Sequence, residues 1–120
     1  MLYLPKKLVI TMKGVELTKA EEEVMLVLWE LELASVKEVL EHYEHPRPAY
    51  NTISTIIRIL EKKKVVGHKQ KGRGYIYFPK ISKGDYAEKL TKHLVLHYFN
   101  NNRSELISSL NSKKSLHELL

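Results

Sequence analysis

Hydrophobic residues recur along this chain at helical spacing, in short blocks set apart by polar punctuation. Thr18-Lys19-Ala20-Glu21 has the form of a capping box, in which a Thr hydroxyl and a Glu carboxylate each satisfy an orphan backbone amide. Behind it Ala20, Val24, Val27, Leu28 and Leu31 form an apolar stripe that predicts a first helix over about Lys19–Trp29. Ser35-Val36-Lys37-Glu38 is a second box. Val36, Val39, Leu40 and Tyr43 then follow at i, i+3, i+4 and i+7, predicting a short second helix that His45-Pro46 terminates. A third helix is expected from near Pro48, a residue favoured at the first helical position, to about Lys63. Its stripe is Ile53, Ile56, Ile57 and Leu60.

The period then changes. Val65–Gln70 and Tyr75–Phe78 read as two strands around Lys71-Gly72-Arg73-Gly74, which supplies the glycines a hairpin tip needs, and Pro79 ends the second strand. Three short helices in close succession suggest a helix-turn-helix core, and a basic hairpin after them makes it a winged helix.

Beyond the hairpin, Ser82-Lys83-Gly84-Asp85 is a box-like start with Asp in place of Glu, predicting a fourth helix over about Asp85–Phe99. Tyr86, Leu90 and Leu94 line one side of it, while Val95, Leu96, Tyr98 and Phe99 leave its second half apolar almost all round. Asn100-Asn101-Asn102 breaks the pattern, and Ser104 is expected to cap a fifth helix carrying Leu106, Ile107 and Leu110, with Leu116, Leu119 and Leu120 beyond. A tail this short has no core of its own in which to hide such side chains. The economical cover is a second copy, giving a two-fold homodimer held by Tyr86, Leu90, Leu94, Tyr98, Phe99, Leu106, Ile107 and Leu110. The competing arrangement folds the tail back on its own wing. The expected fold is mainly α with a small β-hairpin: an N-terminal extension (1–16), a winged helix-turn-helix (17–81) and a C-terminal helical dimerisation region (82–120).

Charge sharpens this picture. From Leu17 to Pro46 eight glutamates face only Lys19 and Lys37, whereas from Arg47 to Lys83 ten basic residues face Glu61 alone. Segregation of this kind inside one small domain suggests a face built for a polyanion, with a solvated lysine-rich surface as the bland alternative. The chain has no cysteine, which excludes disulfides, thiolate metal sites and a cysteine nucleophile, and fits a cytoplasmic setting. At the start, Leu8-Val9-Ile10-Thr11-Met12 follows two lysines but is too short for a signal peptide, and no run approaches the ~18 apolar residues of a membrane span.

If the third helix turns its isoleucines inward, Asn51, Thr55, Arg58 and Lys62 share the opposite face at steps of four, three and four. Asn can bond adenine bidentately, Arg can bond guanine likewise, and the Thr methyl suits the thymine methyl. The base-reading candidates are Asn51, Thr52, Thr55 and Arg58. Tyr50, Thr52 and Ser54 flank the helix start, where the dipole favours phosphate. Lys62, Lys63 and Lys64, with Lys69, Lys71 and Arg73 on the hairpin, would supply salt-dependent phosphate attraction. The rival from another class is a winged helix that binds an acidic protein partner.

Other chemistry finds little footing. His93 and His97 lie four apart and His42 and His45 three apart, but a zinc site needs a third protein ligand, so no metal and no cofactor is expected. No Gly-rich phosphate loop follows a strand and no nucleophile elbow occurs, so no catalytic residue is assigned. Trp29 and Tyr43 sit on apolar stripes and read as core or interdomain packing.

Three stretches taken together, LTKAEEEVMLVLWEL, YNTISTIIRILEKK and GRGYIYFPKIS, resemble the penicillinase-repressor (BlaI/MecI/CopY) family of bacterial transcription repressors over about Leu17–Leu110. The resemblance implies a DNA-binding winged helix, C-terminal helices that dimerise, and a dimer seated on a palindromic operator of double-stranded DNA. It assigns Thr52, Thr55 and Arg58 to the recognition helix, and leaves room for a sensor or protease partner. The family commonly has a second Arg directly after the position of Arg58 and Gly after the paired lysines; this chain has Ile59 and Lys64. The cysteine cluster of copper-responsive members is absent. Leu106–Leu110 reads LISSL and lacks the Asn-Phe bond at which β-lactam-responsive members are cleaved, so neither induction route carries over. Residues before Met12 are expected to be an extension, with Met12 as an alternative start.

Overall fold

The computed structural model describes residues 16–112, which places all of the N-terminal extension before Glu16, with Met12, Leu116, Leu119 and Leu120, outside the described residues. Its elements are α1 (Lys19–Leu31), α2 (Val36–Glu41), α3 (Tyr50–Lys62), β1 (Val66–Lys71), β2 (Gly74–Pro79), α4 (Lys83–Tyr98) and α5 (Arg103–Leu110). Three helices followed by an antiparallel hairpin make a winged helix, and the chain is mostly helical, as the sequence pattern indicates.

Both capping boxes form. The Thr18 hydroxyl accepts from the Glu21 amide at 3.2 Å while the Thr18 amide donates to Glu21 Oε1 at 3.0 Å, and Ser35 and Glu38 repeat the exchange at 3.1 and 3.0 Å. Three starts differ from expectation. Helix α4 begins at Lys83, two residues before the expected Asp85. Helix α3 begins at Tyr50, because Ala49 keeps an extended backbone (φ −71°, ψ 151°) and leaves Pro48 outside the helix. Helix α5 is capped by Asn102, whose side-chain oxygen accepts the Ser104 amide at 2.8 Å. Asn caps as well as Ser does and comes earlier in the chain, so Ser104 falls inside the first turn.

The chain divides into two compact units, the first ending at Tyr86 and the second beginning at Ala87. The first has a continuous core of Val24, Met25 and Leu28 from α1, Val36 and Val39 from α2, Ile53, Ile57 and Leu60 from α3, with Ala34, Val65 and Val66. Ile56 packs against it from the edge. Trp29 and Tyr86 close one side: the Trp29 ring N–H donates to the Ile81 carbonyl at 2.8 Å, and the two rings lie 5.6 Å apart. Burial, and then the charges of Glu22 and Glu21, push the Tyr86 hydroxyl above its ordinary pKa.

Strands β1 and β2 pair with Val66 opposite Pro79 and Lys71 opposite Gly74, leaving Gly72 and Arg73 as the turn. Gly72 adopts φ +62°, a conformation that costs glycine little and other residues more. Gly67 faces Phe78 across the ladder, and a Cβ there would meet the Phe78 ring at 2.8 Å. Ala34 makes an isolated antiparallel bridge to β2, exchanging two backbone hydrogen bonds with Tyr77 at 3.0 and 2.8 Å, which ties the hairpin to the α1–α2 turn.

Candidate nucleic-acid interface

Helix α3 sorts its residues sharply. Ile53, Ile57 and Leu60 are buried, while Asn51, Thr52, Thr55, Arg58 and Lys62 are all exposed, as is half of Tyr50; Ser54 is half-buried. The polar row expected from spacing therefore stands open to solvent. The helix start is distinctive too. Among the five described helices, α3 alone has no acid in its first turn, and Ala49 offers no side-chain cap. Its first amides receive no side-chain cap and the positive end of its dipole meets no acid of its own, a setting that suits an anion.

At its other end α3 closes in a Schellman motif. The Lys64 amide donates to the Glu61 carbonyl at 2.9 Å and the Val65 amide to the Leu60 carbonyl at 3.2 Å, with buried Leu60 and Val65 as the apolar pair. Lys64 occupies the left-handed position of that motif at φ +65°, where glycine is least costly. It is exposed.

The hairpin extends the basic surface. Lys69, Lys71 and Arg73 are exposed along it. Lys80 was missing from the phosphate set drawn from the sequence; it is exposed and its amide donates to the Val65 carbonyl at 2.8 Å, which seats it beside Val65 at the base of the wing. The available signal was the register itself, since a residue just past the second strand returns beside the start of the first.

Lys63 behaves differently from its neighbours. Its ammonium donates to Glu21 Oε1 at 2.6 Å and to the Glu16 carbonyl at 2.9 Å. Glu21, 6% exposed, is the buried charged residue of the described chain. Burial opposes ionisation of its carboxyl, but hydrogen bonds from Lys63 and Thr18 outweigh this and hold it below the usual carboxylate range. Glu61, the one acid of the basic segment, is bonded to His68, whose ring stands edge-on to Tyr75 at 4.9 Å between centroids. Burial first, then the Glu61 charge, raise the Tyr77 hydroxyl above its ordinary value, with Arg58 acting in the opposite sense.

The residues assigned to dimerisation fall into two groups. Tyr86 is buried in the first unit, against Trp29. In the second unit Leu90, Leu94, Tyr98, Ile107 and Leu110 are exposed, Tyr98 at 72%, while Phe99 and Leu106 are half-buried. The His93 and His97 rings lie 4.3 Å apart between centroids, tilted by 56°, each with one buried ring nitrogen lacking a partner. Among the described residues no group of three His, Cys, Asp or Glu side chains converges as a metal site, and no helix is long and apolar enough to cross a membrane.

Comparison with known proteins identifies relatives of this chain. A family model described as penicillinase repressor matches residues 17–119. The penicillinase repressor of Bacillus licheniformis is 27% identical over 93 residues, covering 77% of this chain and 73% of that protein. The methicillin resistance regulatory protein MecI of Mammaliicoccus sciuri is 26% identical over 105 residues (87% and 85% covered), and MecI of Staphylococcus aureus strain N315 is 25% identical over 105 (87% and 85%).

Proposed function

The chain belongs to the penicillinase repressor family, and from that premise we propose that it is a DNA-binding transcriptional repressor acting as a homodimer on a palindromic operator. Its role is regulatory, not catalytic. Helix α3 enters the major groove and presents Asn51, Thr52, Thr55 and Arg58 to base edges. Tyr50 and Ser54 meet phosphate at the uncapped helix start. Lys62, Lys64, Lys69, Lys71, Arg73 and Lys80 hold the flanking backbone by charge, whereas Lys63 braces α3 against α1 through Glu21.

The observation that carries this reading is the continuity of one surface: an exposed polar helix face, free of acid at its start, running into an exposed basic hairpin. A solvated lysine surface has no reason to keep a helix start clear of carboxylates when both preceding helices carry them.

Dimerisation belongs to the same mechanism. One winged helix reads too few bases to select a site in a genome, so two must act together. The open apolar side chains of α4 and α5 supply the pairing surface, and an isologous two-fold interface sets the recognition helices about one DNA turn apart.

Selection of bound fragments from genomic DNA tests the proposal. A palindrome with half-sites about 10 base pairs apart centre to centre is expected. Equal affinity for every duplex, including scrambled ones, would overturn it and favour a module that recruits an acidic protein.

A further inference from the structure

The exposed face of α3 carries an apolar side chain that the polar row does not explain. Ile59 is 37% exposed, although the isoleucines beside it at 53 and 57 are buried. At about 100° per residue, Ile59 lies roughly 80° round the helix from Asn51, between Thr55 at about 40° and Thr52 at about 100°. Glu61 and its partner His68 mark the opposite flank, so Ile59 faces away from the hairpin. Thr52, Thr55 and Ile59, spaced i, i+3 and i+7, thus form a ridge of three exposed β-branched side chains, each ending in a methyl group. Such side chains are stiff about χ1 in a helix, Ile most of all, so the Ile59 methyls are largely fixed in place before any partner arrives.

What covers this ridge follows from its surroundings. Arg58 and Lys62 are exposed beside it, on a surface that suits a polyanion. Within the major groove of a duplex, the apolar group that bases present is the C5-methyl of thymine. Resting on the proposal that α3 enters that groove, we infer that Ile59 is a specificity-determining residue that selects thymine by burying its C5-methyl, with Thr52 and Thr55 completing the apolar wall. Cytosine at the same position lacks that methyl group and gains nothing from the apolar wall. Ile59 therefore contributes base preference where a longer polar side chain would seek a guanine.

The test uses the full chain and the operator found by genomic selection. Each thymine of one half-site is replaced in turn by deoxyuridine, which removes only the methyl group, and affinity is measured for the wild type, Ile59→Ala and Ile59→Val. At one thymine the wild type is expected to lose about fourfold in affinity, the value of one buried methyl. Ile59→Ala should bind the thymine operator more weakly by a similar factor, and should show no further loss on the deoxyuridine operator. Ile59→Val, which keeps the branch point, should retain most of the discrimination. Identical deoxyuridine profiles for the wild type and Ile59→Ala would overturn the inference while leaving repression intact. A wild type that binds all duplexes equally would instead remove the reading beneath it.

Discussion

The first unit of the chain withdraws Val24, Met25, Leu28, Ile53, Ile57 and Leu60 from water within a single protomer, whereas the second buries Val95 alone among its described residues. Leu90, Leu94, Leu96, Tyr98, Ile107 and Leu110 stay open there. Both units are built from amphipathic helices, so the contrast does not come from composition. The winged unit packs three helices and a hairpin around one core. The second unit has only one long and one short helix to place against each other, too little to enclose a core. The first is therefore a finished fold with an exposed polar face, which the proposed function gives to DNA. The second is an unfinished one whose open apolar side chains the same proposal gives to a second copy.

The strongest way to break that comparison is to hollow out the finished core. Ile57→Ala should lower the stability of the winged unit by about 2–5 kcal/mol, through lost burial and a residual cavity, read as a drop in denaturation midpoint. A loss below about 0.5 kcal/mol would mean that α3 is not anchored as described. In the unfinished unit, Leu94→Glu should leave the fold of the wing intact while weakening self-association by about 3 kcal/mol, roughly a hundredfold, in sedimentation experiments. An unchanged dimer would move the interface elsewhere. On the polar face, Arg58→Ala should cost about 1–3 kcal/mol of operator binding and blur preference at one base position, with thermal stability unaltered. Loss of stability without loss of preference would make Arg58 a packing residue.

Two smaller effects probe the brace and the turn around α3. Lys64→Gly should stabilise the protein by about 1 kcal/mol by relieving a left-handed lysine, yet bind all duplexes somewhat less tightly, with a salt slope shallower by about one unit. Glu21 gives a pH dependence. Its folded pKa lies below the ordinary 4.5, so its contribution is fully present above that value and is lost as the pH falls through the folded pKa. Denaturation of the wild type and of Glu21→Gln should differ near neutrality and converge in acid; a constant difference would remove the Lys63 pairing as its cause.

Much of this was legible along the chain where the determinant is local. The Thr18 and Ser35 boxes, the inward stripe of α3 and the glycine at the hairpin tip each depend on residues within a few positions, and each forms as the pattern indicates. The starts of α3 and α4 and the cap of α5 were each misplaced by two residues because adjacent candidates compete there, and backbone conformation decides between them. Long-range pairings were not legible. Lys63 finds Glu21 at a separation of 42 residues, and Trp29 meets Ile81 at a separation of 52. Spacing along one helix cannot reveal that Lys63 turns to another helix while Lys62 stays in water, nor that Tyr86 is taken up by Trp29. The phosphate set lacked Lys80 for the same reason, since its place beside Val65 is created by strand pairing.

The central claim is that two copies pair through α4 and α5 and so direct two α3 faces to successive turns of one duplex. Native mass measurement of the complex, on operators whose half-sites are set at their natural spacing and then moved apart by five base pairs, tests it most directly. Two chains per natural operator are predicted, with tight binding lost when half a turn is inserted. One chain per duplex, bound equally well at either spacing, would contradict it.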